Sequence, residues 1–135
     1  MINFLEHGEG LVCFAQIGVD NVKELADAGF KSIICNRPDS EPGTVPYAEI
    51  EAVAKAQGLA FAMQAVSFST ITKADGVAFA ALIDSLPQPV AAYCRTGRRS
   101  AALWVLGRAD ARGKSEVLDS AEAAGCPLDD IAHLI

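Results

Sequence analysis

The chain has 135 residues, 51% hydrophobic and 21% charged, a balance that excludes a disordered chain and fits one domain with its own core. A net charge of −6 excludes the broad basic footprint of a nucleic-acid binder, so any anion site has to be local. No apolar run approaches the length that spans a bilayer, and the opening MINFLEHGEG lacks the basic and apolar regions of a secretion signal; the expected location is the cytoplasm.

Strand-like and helix-like runs alternate along the chain. LVCFAQI, residues 11–17, reads as the first strand, after which Asp20 is placed to cap a helix through NVKELADAG that Gly29 ends. FKSIICN, residues 30–36, is a second strand, followed by the loop RPDSEPGTVP, dense in Pro, Gly and acidic residues. YAEIEAVAKAQG, residues 47–58, has helical spacing and a Gly stop, and LAFAMQAV, residues 59–66, is the third strand. After the short loop SFST, Thr72 opens a helix with Asp75 three places on, the spacing of a capping box. PVAAY, residues 89–93, is the fourth strand; it leads into a loop at Cys94 and the helix SAALWVLGRADAR. KSEVLDSAEAAG and PLDDIAHLI read as two closing helical stretches.

The later strands are almost continuously apolar, as in a parallel sheet covered on both faces. The expected architecture is therefore a three-layer α/β domain over residues 1–135, with a mainly parallel central sheet of four to five strands, helices on both faces and right-handed crossovers.

The segment YCRTGRRS carries the chemistry. Cys94 follows a strand and precedes a helix apolar all round, so the helix N-terminus and the loop N–H groups converge on it. Gly97 lets successive N–H groups turn toward one point, with Thr96 beside it in the loop. Arg95 and Arg98 add positive charge, and Arg99 can hold an anion in bidentate fashion. Ser100 can donate its hydroxyl to the sulfur. These are the surroundings that make a cysteine nucleophilic.

The other chemistry-bearing residues have blander roles. Cys13 and Cys35 lie in apolar strand runs and read as small buried hydrophobes, while Cys126 has no partner pattern. The scattered cysteines lack the paired spacing of a zinc site, and no metal or organic cofactor is expected. Trp104 reads as core, and His7 and His133 as surface or capping residues. GRADARGKS imitates a phosphate-binding loop, but it has one residue too many between its glycines and follows a helix instead of a strand.

The spacing C-x-x-G-x-R resembles the active-site loop of rhodaneses, whereas cysteine-dependent phosphatases carry the longer C-x5-R and usually a His where this chain has Tyr93. AQIGVDNVKELADAGFKSIICNRPDSEPGTVP followed by PVAAYCRTGRRSAALWVL resembles the bacterial beta-lactamase-hydrolase-like, phosphatase-like domain family over nearly the whole chain. That resemblance implies the dual-specificity-phosphatase fold, with Cys94 as nucleophile and Arg99 as the anion-binding residue. It also implies either phosphatase or sulfurtransferase activity, the latter in the company of a persulfide dioxygenase.

Two features tilt the expectation toward sulfur transfer. The loop from Cys94 to Arg99 is one residue tighter than a phosphate cradle, and VSFSTIT, where a phosphatase acid would stand, has no carboxylate. Asp75 is explained as a cap; Asp39 could approach the pocket, or form a turn and pair with Arg37. The leading expectation is a rhodanese-like sulfurtransferase that moves sulfane sulfur from a small anionic donor, thiosulfate or a persulfide, to a thiol or cyanide through a Cys94 persulfide. The alternatives are a cysteine-dependent phosphatase working through a Cys94 phosphocysteine, and a non-catalytic anion or persulfide sensor. A homodimer stays open, and neither nucleic acid nor membrane is an expected partner.

Overall fold

The alternating runs form one five-stranded sheet in the computed structural model, which describes the backbone of residues 3–6 and all of residues 10–135. Strands β1 (Asn3–Glu6), β2 (Leu11–Phe14), β3 (Ser32–Cys35), β4 (Ala60–Met63) and β5 (Val90–Tyr93) stand in the order β1-β2-β5-β3-β4. The last four are mutually parallel, and β1 runs antiparallel beside β2, a strand the sequence reading does not contain.

Strand alternation divides the core in two. Leu11, Cys13, Ile34, Val90 and Ala92 face one side, where they meet helices α3 (Lys73–Ser85), α4 (Arg98–Arg112) and α5 (Lys114–Ala123). Val12, Phe14, Ile33, Cys35, Ala91 and Tyr93 face the other, against α1 (Val19–Asp27) and α2 (Tyr47–Ala56). The expected three layers are thus present. The third predicted strand, β4, is an edge strand and only half-buried, because it pairs on one side alone.

Helix boundaries show where local signals sufficed. Thr72 and Asp75 make the reciprocal capping box, at 2.9 and 3.2 Å. Asp20 does not cap α1: the helix begins at Val19, so Asp20 lies within its first turn, and Asn21 Oδ1 accepts from the Gly18 N–H at 2.8 Å. α4 starts two residues before the expected Ser100, because Gly97, at φ +90°, turns the chain into the helix. The closing PLDDIAHLI forms a 3₁₀ helix (Asp129–Leu134) with His133 in its last turn, while His7 lies outside the described residues. Among the described residues, no helix is long and apolar enough to cross a membrane.

α4 is buried on nearly all sides, and Trp104 in its middle is 1% exposed. α3 and α4 touch backbone to backbone at Gly76 and Gly107: a Cβ on Gly76 would lie 2.6 Å from the Gly107 nitrogen, and one on Gly107 would meet the Gly76 carbonyl. Gly107→Ala is therefore expected to destabilise the fold by about 1–3 kcal/mol through overpacking, despite the better helix propensity of Ala. Denaturant titration checks this; an unchanged or raised midpoint would show that the helices can part without cost.

Candidate active site

In a parallel sheet the functional loops lie beyond the carboxyl ends of the strands, where the strand order changes direction. Here β5 is inserted between β2 and β3, so the loops after β2, β3, β4 and β5 converge at one end. Three backbone bonds knit them together: Gln16 N–H to the Arg95 carbonyl (3.1 Å), Asn36 N–H to the Tyr93 carbonyl (2.8 Å) and Val66 N–H to the Asn36 carbonyl (3.1 Å).

Cys94 sits at the floor of this junction, 1% exposed. Its Sγ accepts the Gly97 N–H at 3.0 Å, which the left-handed Gly97 conformation makes available. Gly97 is also the N-cap of α4, so the sulfur lies at the positive end of a buried helix. The loop is held from below by the Cys94 N–H donating to the Phe14 carbonyl at 3.3 Å.

Arg99 is buried, with its guanidinium clasped by a residue that sequence reading did not single out. Nη1 and Nη2 donate to the two carboxylate oxygens of Glu41 at 2.6 and 2.7 Å, and Nη1 donates also to the Val66 carbonyl at 3.0 Å. Arg37 holds the same carboxylate from the other side, with Nε on Glu41 Oε1 at 3.0 Å, Nη1 on Gln16 Oε1 at 2.9 Å and Nη2 on the Pro42 carbonyl at 2.7 Å. The Arg99 hydrogen bond is the main cause pulling the Glu41 carboxyl below the usual carboxylate range, with Arg37 assisting against the cost of burial. Burial opposes the Arg99 charge, but Glu41 and the neighbouring Cys94 outweigh it and push the arginine further toward its charged form.

The remaining expected residues divide into those at the pocket and those engaged elsewhere. Arg95 is exposed and, with Arg37, Glu41 and Pro42, lines a depression of about 260 Å³. Thr96 Oγ1 accepts the Arg98 N–H at 3.4 Å and helps to start α4. Arg98 turns away from the pocket: its Nη2 donates to both Asp130 oxygens at 2.6 and 2.7 Å, and its guanidinium lies 4.4 Å from the Phe68 ring centre. Arg98, expected to bind the anion, is tied in this way to the C-terminal 3₁₀ helix.

Ser100 likewise differs from expectation. Its hydroxyl donates to Asn36 Oδ1 at 2.7 Å and not to the Cys94 sulfur, because Asn36 is brought beside it by the β3–β5 pairing. Asn36 Nδ2 continues the chain to the Gln64 carbonyl at 2.9 Å. Asp39 is exposed, and its Oδ1 accepts the Tyr47 N–H at 3.0 Å at the start of α2. The expected pairing of Asp39 with Arg37 is corrected in favour of Glu41, two residues further along the loop. Cys13, Cys35 and Cys126 are buried, and burial above all raises their thiol pKa values, so they remain poor nucleophiles. Tyr93, in place of the usual His, packs into the α1/α2 core, and burial holds its phenol neutral.

Residues 4–111 match the family described as beta-lactamase hydrolase-like protein, phosphatase-like domain. A beta-lactamase hydrolase-like protein from Agrobacterium fabrum (strain C58) is 37% identical over 123 residues, 89% of this chain and 28% of that protein. The chain thus spans little more than a quarter of the length of the curated relatives it matches. A crystal structure from Neisseria meningitidis, described as a candidate phosphatase, superposes with a TM-score of 0.84 at 34% identity, covering 96% of this chain and 94% of that one. A Pseudomonas aeruginosa TpbA variant in complex with phosphotyrosine shares the fold, with a TM-score of 0.67 at 14% identity over 90% of this chain and 74% of its own.

Proposed function

The chain belongs to the beta-lactamase hydrolase-like protein, phosphatase-like domain family, and on that footing we propose that it is a cysteine-dependent hydrolase of aryl phosphate esters. The observation that carries the reading is Cys94 Sγ at the positive end of α4, receiving the Gly97 N–H beside Arg99. The Cys94 thiolate attacks phosphorus and the phosphorus–oxygen bond to the phenol breaks. Water then attacks the phosphocysteine, the sulfur–phosphorus bond breaks, and inorganic phosphate and the thiolate are released. Loop N–H groups and Arg99 hold the phosphoryl oxygens while negative charge shifts onto them. Arg95, exposed at the rim, draws the anion in against the negative net charge of the chain.

The aryl restriction follows from the carboxylates. Asp39 and Asp75 cap helices, Asp130 is held by Arg98, and Glu41 is ionised between two arginines. None stands ready to protonate an alkoxide, and a phenolate leaves without that help.

One observation favours a second reading, sulfur transfer, although the comparisons favour the phosphate reading. The loop from Cys94 to Arg99 is a residue shorter than C-x5-R, a fit for a single sulfur. In that reaction the thiolate attacks the outer sulfur of thiosulfate and sulfite departs. Cyanide then takes the terminal sulfur as thiocyanate and restores the thiolate.

Parallel assays of phosphate release from an aryl phosphate and of thiocyanate formation from thiosulfate and cyanide test the two readings. Intact mass identifies a phosphate or a sulfur adduct on Cys94. Aryl phosphate turnover with a phosphate adduct is the expected result. Thiocyanate with a sulfur adduct would replace the first reading by the second, and an adduct without turnover would point to a sensor.

A further inference from the structure

We infer that Glu41 is a positioning residue that fixes which edge of Arg99 meets the reacting anion. The inference deepens the anion-binding role given to Arg99 above and rests on it. A guanidinium carries five N–H groups arranged as two forks, one between Nη1 and Nη2 and one between Nε and Nη2. Glu41 fills the first fork with both its oxygens, at 2.6 and 2.7 Å, and the Val66 carbonyl takes the second N–H of Nη1 at 3.0 Å. The fork left open is the one formed by Nε and Nη2. With its end-on fork filled, Arg99 has that fork left to offer an anion.

Glu41 is itself fixed. Arg37, 3% exposed, places Nε on Glu41 Oε1 and anchors its own remaining nitrogens on Gln16 and Pro42. The backbone supports the arrangement: the Glu41 N–H donates to the Pro38 carbonyl at 3.3 Å, and Thr44 Oγ1 donates to the Glu41 carbonyl at 2.7 Å. Without the carboxylate, two buried guanidinium groups would face each other, and Arg99 would be free to turn its end-on fork to the incoming anion. In a loop one residue short, that turn misdirects the bound group relative to the sulfur. Glu41, being ionised, has no proton to give, so its contribution is orientation and not acid catalysis.

The test compares alkylation of Cys94 by iodoacetate, an anion, with alkylation by neutral iodoacetamide, read at the Cys94 peptide by mass spectrometry in the full chain. The iodoacetate-to-iodoacetamide rate ratio reports how well Arg99 presents itself, whatever the enzyme turns over. Glu41→Ala is expected to lower the ratio by about 10- to 100-fold, the size of loss seen when a metal ligand is deprived of the outer partner that orients it. Added formate, a free carboxylate of the missing size, is expected to restore part of it, an effect that general damage to the fold would not give. Glu41→Gln keeps the shape and one acceptor; it serves if the Ala variant does not fold, and its ratio is expected to fall between wild type and Ala. An unchanged ratio in a folded variant overturns the inference. A raised ratio overturns it too, since Glu41 would then be a competitor occupying the anion site. If wild type hydrolyses no aryl phosphate yet the ratio behaves as described, the phosphatase reading falls and the role of Glu41 stands.

Discussion

Cys94→Ser is expected to abolish turnover, by on the order of 10⁴-fold or more, while leaving the fold intact. The two side chains are close in size, and a serine oxygen can still accept the Gly97 N–H that now reaches the sulfur at 3.0 Å. The hydroxyl, however, is far less acidic than the thiol, and among the described residues no side-chain base is hydrogen-bonded to Cys94 to take its proton. The other cysteines offer no substitute, because each is buried and held as the thiol. Initial rates on both substrate pairs, with a thermal melt as control for folding, give the answer. Substantial activity in a folded Cys94→Ser protein would remove the covalent mechanism in either form.

Arg99→Lys carries the second large effect. An ammonium cannot present two parallel N–H groups, and it cannot at once hold both Glu41 oxygens, the Val66 carbonyl and an anion. A fall of about 10²–10³-fold in kcat/KM is expected, the range for removing one preorganised donor from a developing negative charge. Glu41 would keep Arg37 as its partner, so the folding cost should be smaller than the catalytic one. A loss of less than tenfold would move the burden of anion binding to Arg95 and the loop N–H groups. The two residues also separate the readings: sulfur transfer and phosphate hydrolysis both need Cys94, but the dianionic phosphoryl group leans harder on Arg99.

Much of this site could be read along the chain because it is local. The strand, the cysteine, the positive-φ glycine and the apolar helix fall within a few residues of each other, and backbone geometry alone turns that order into a sulfur facing a helix N-terminus. The Thr72–Asp75 box was legible for the same reason, since both halves lie on one helical turn. The boundary errors are instructive in the same terms. Asp20 had the chemistry of a cap, but Asn21 took the Gly18 N–H because the helix began two residues earlier.

What stayed hidden depended on contacts between distant segments. Ser100 had several plausible acceptors, and only the β3–β5 register put Asn36, 64 positions away, within 2.7 Å. Arg37 had two acidic neighbours in one loop. The start of α2 claimed Asp39, which left Glu41 to bridge Arg37 and Arg99 across 58 positions. The antiparallel β1 likewise gave no strong local signal and is defined by its partner β2.

The sequence by itself therefore determined the alternating α/β plan and the placing of Cys94, Gly97 and Arg99 in one loop at a helix N-terminus, because short-range backbone geometry and apolar periodicity suffice for both. Only the tertiary structure decided which carboxylate serves Arg99, where the hydroxyl of Ser100 points, and that Arg98 leaves the pocket for Asp130. Those choices are made among chemically equivalent partners, and what selects between them is the strand order that brings the four loop ends together.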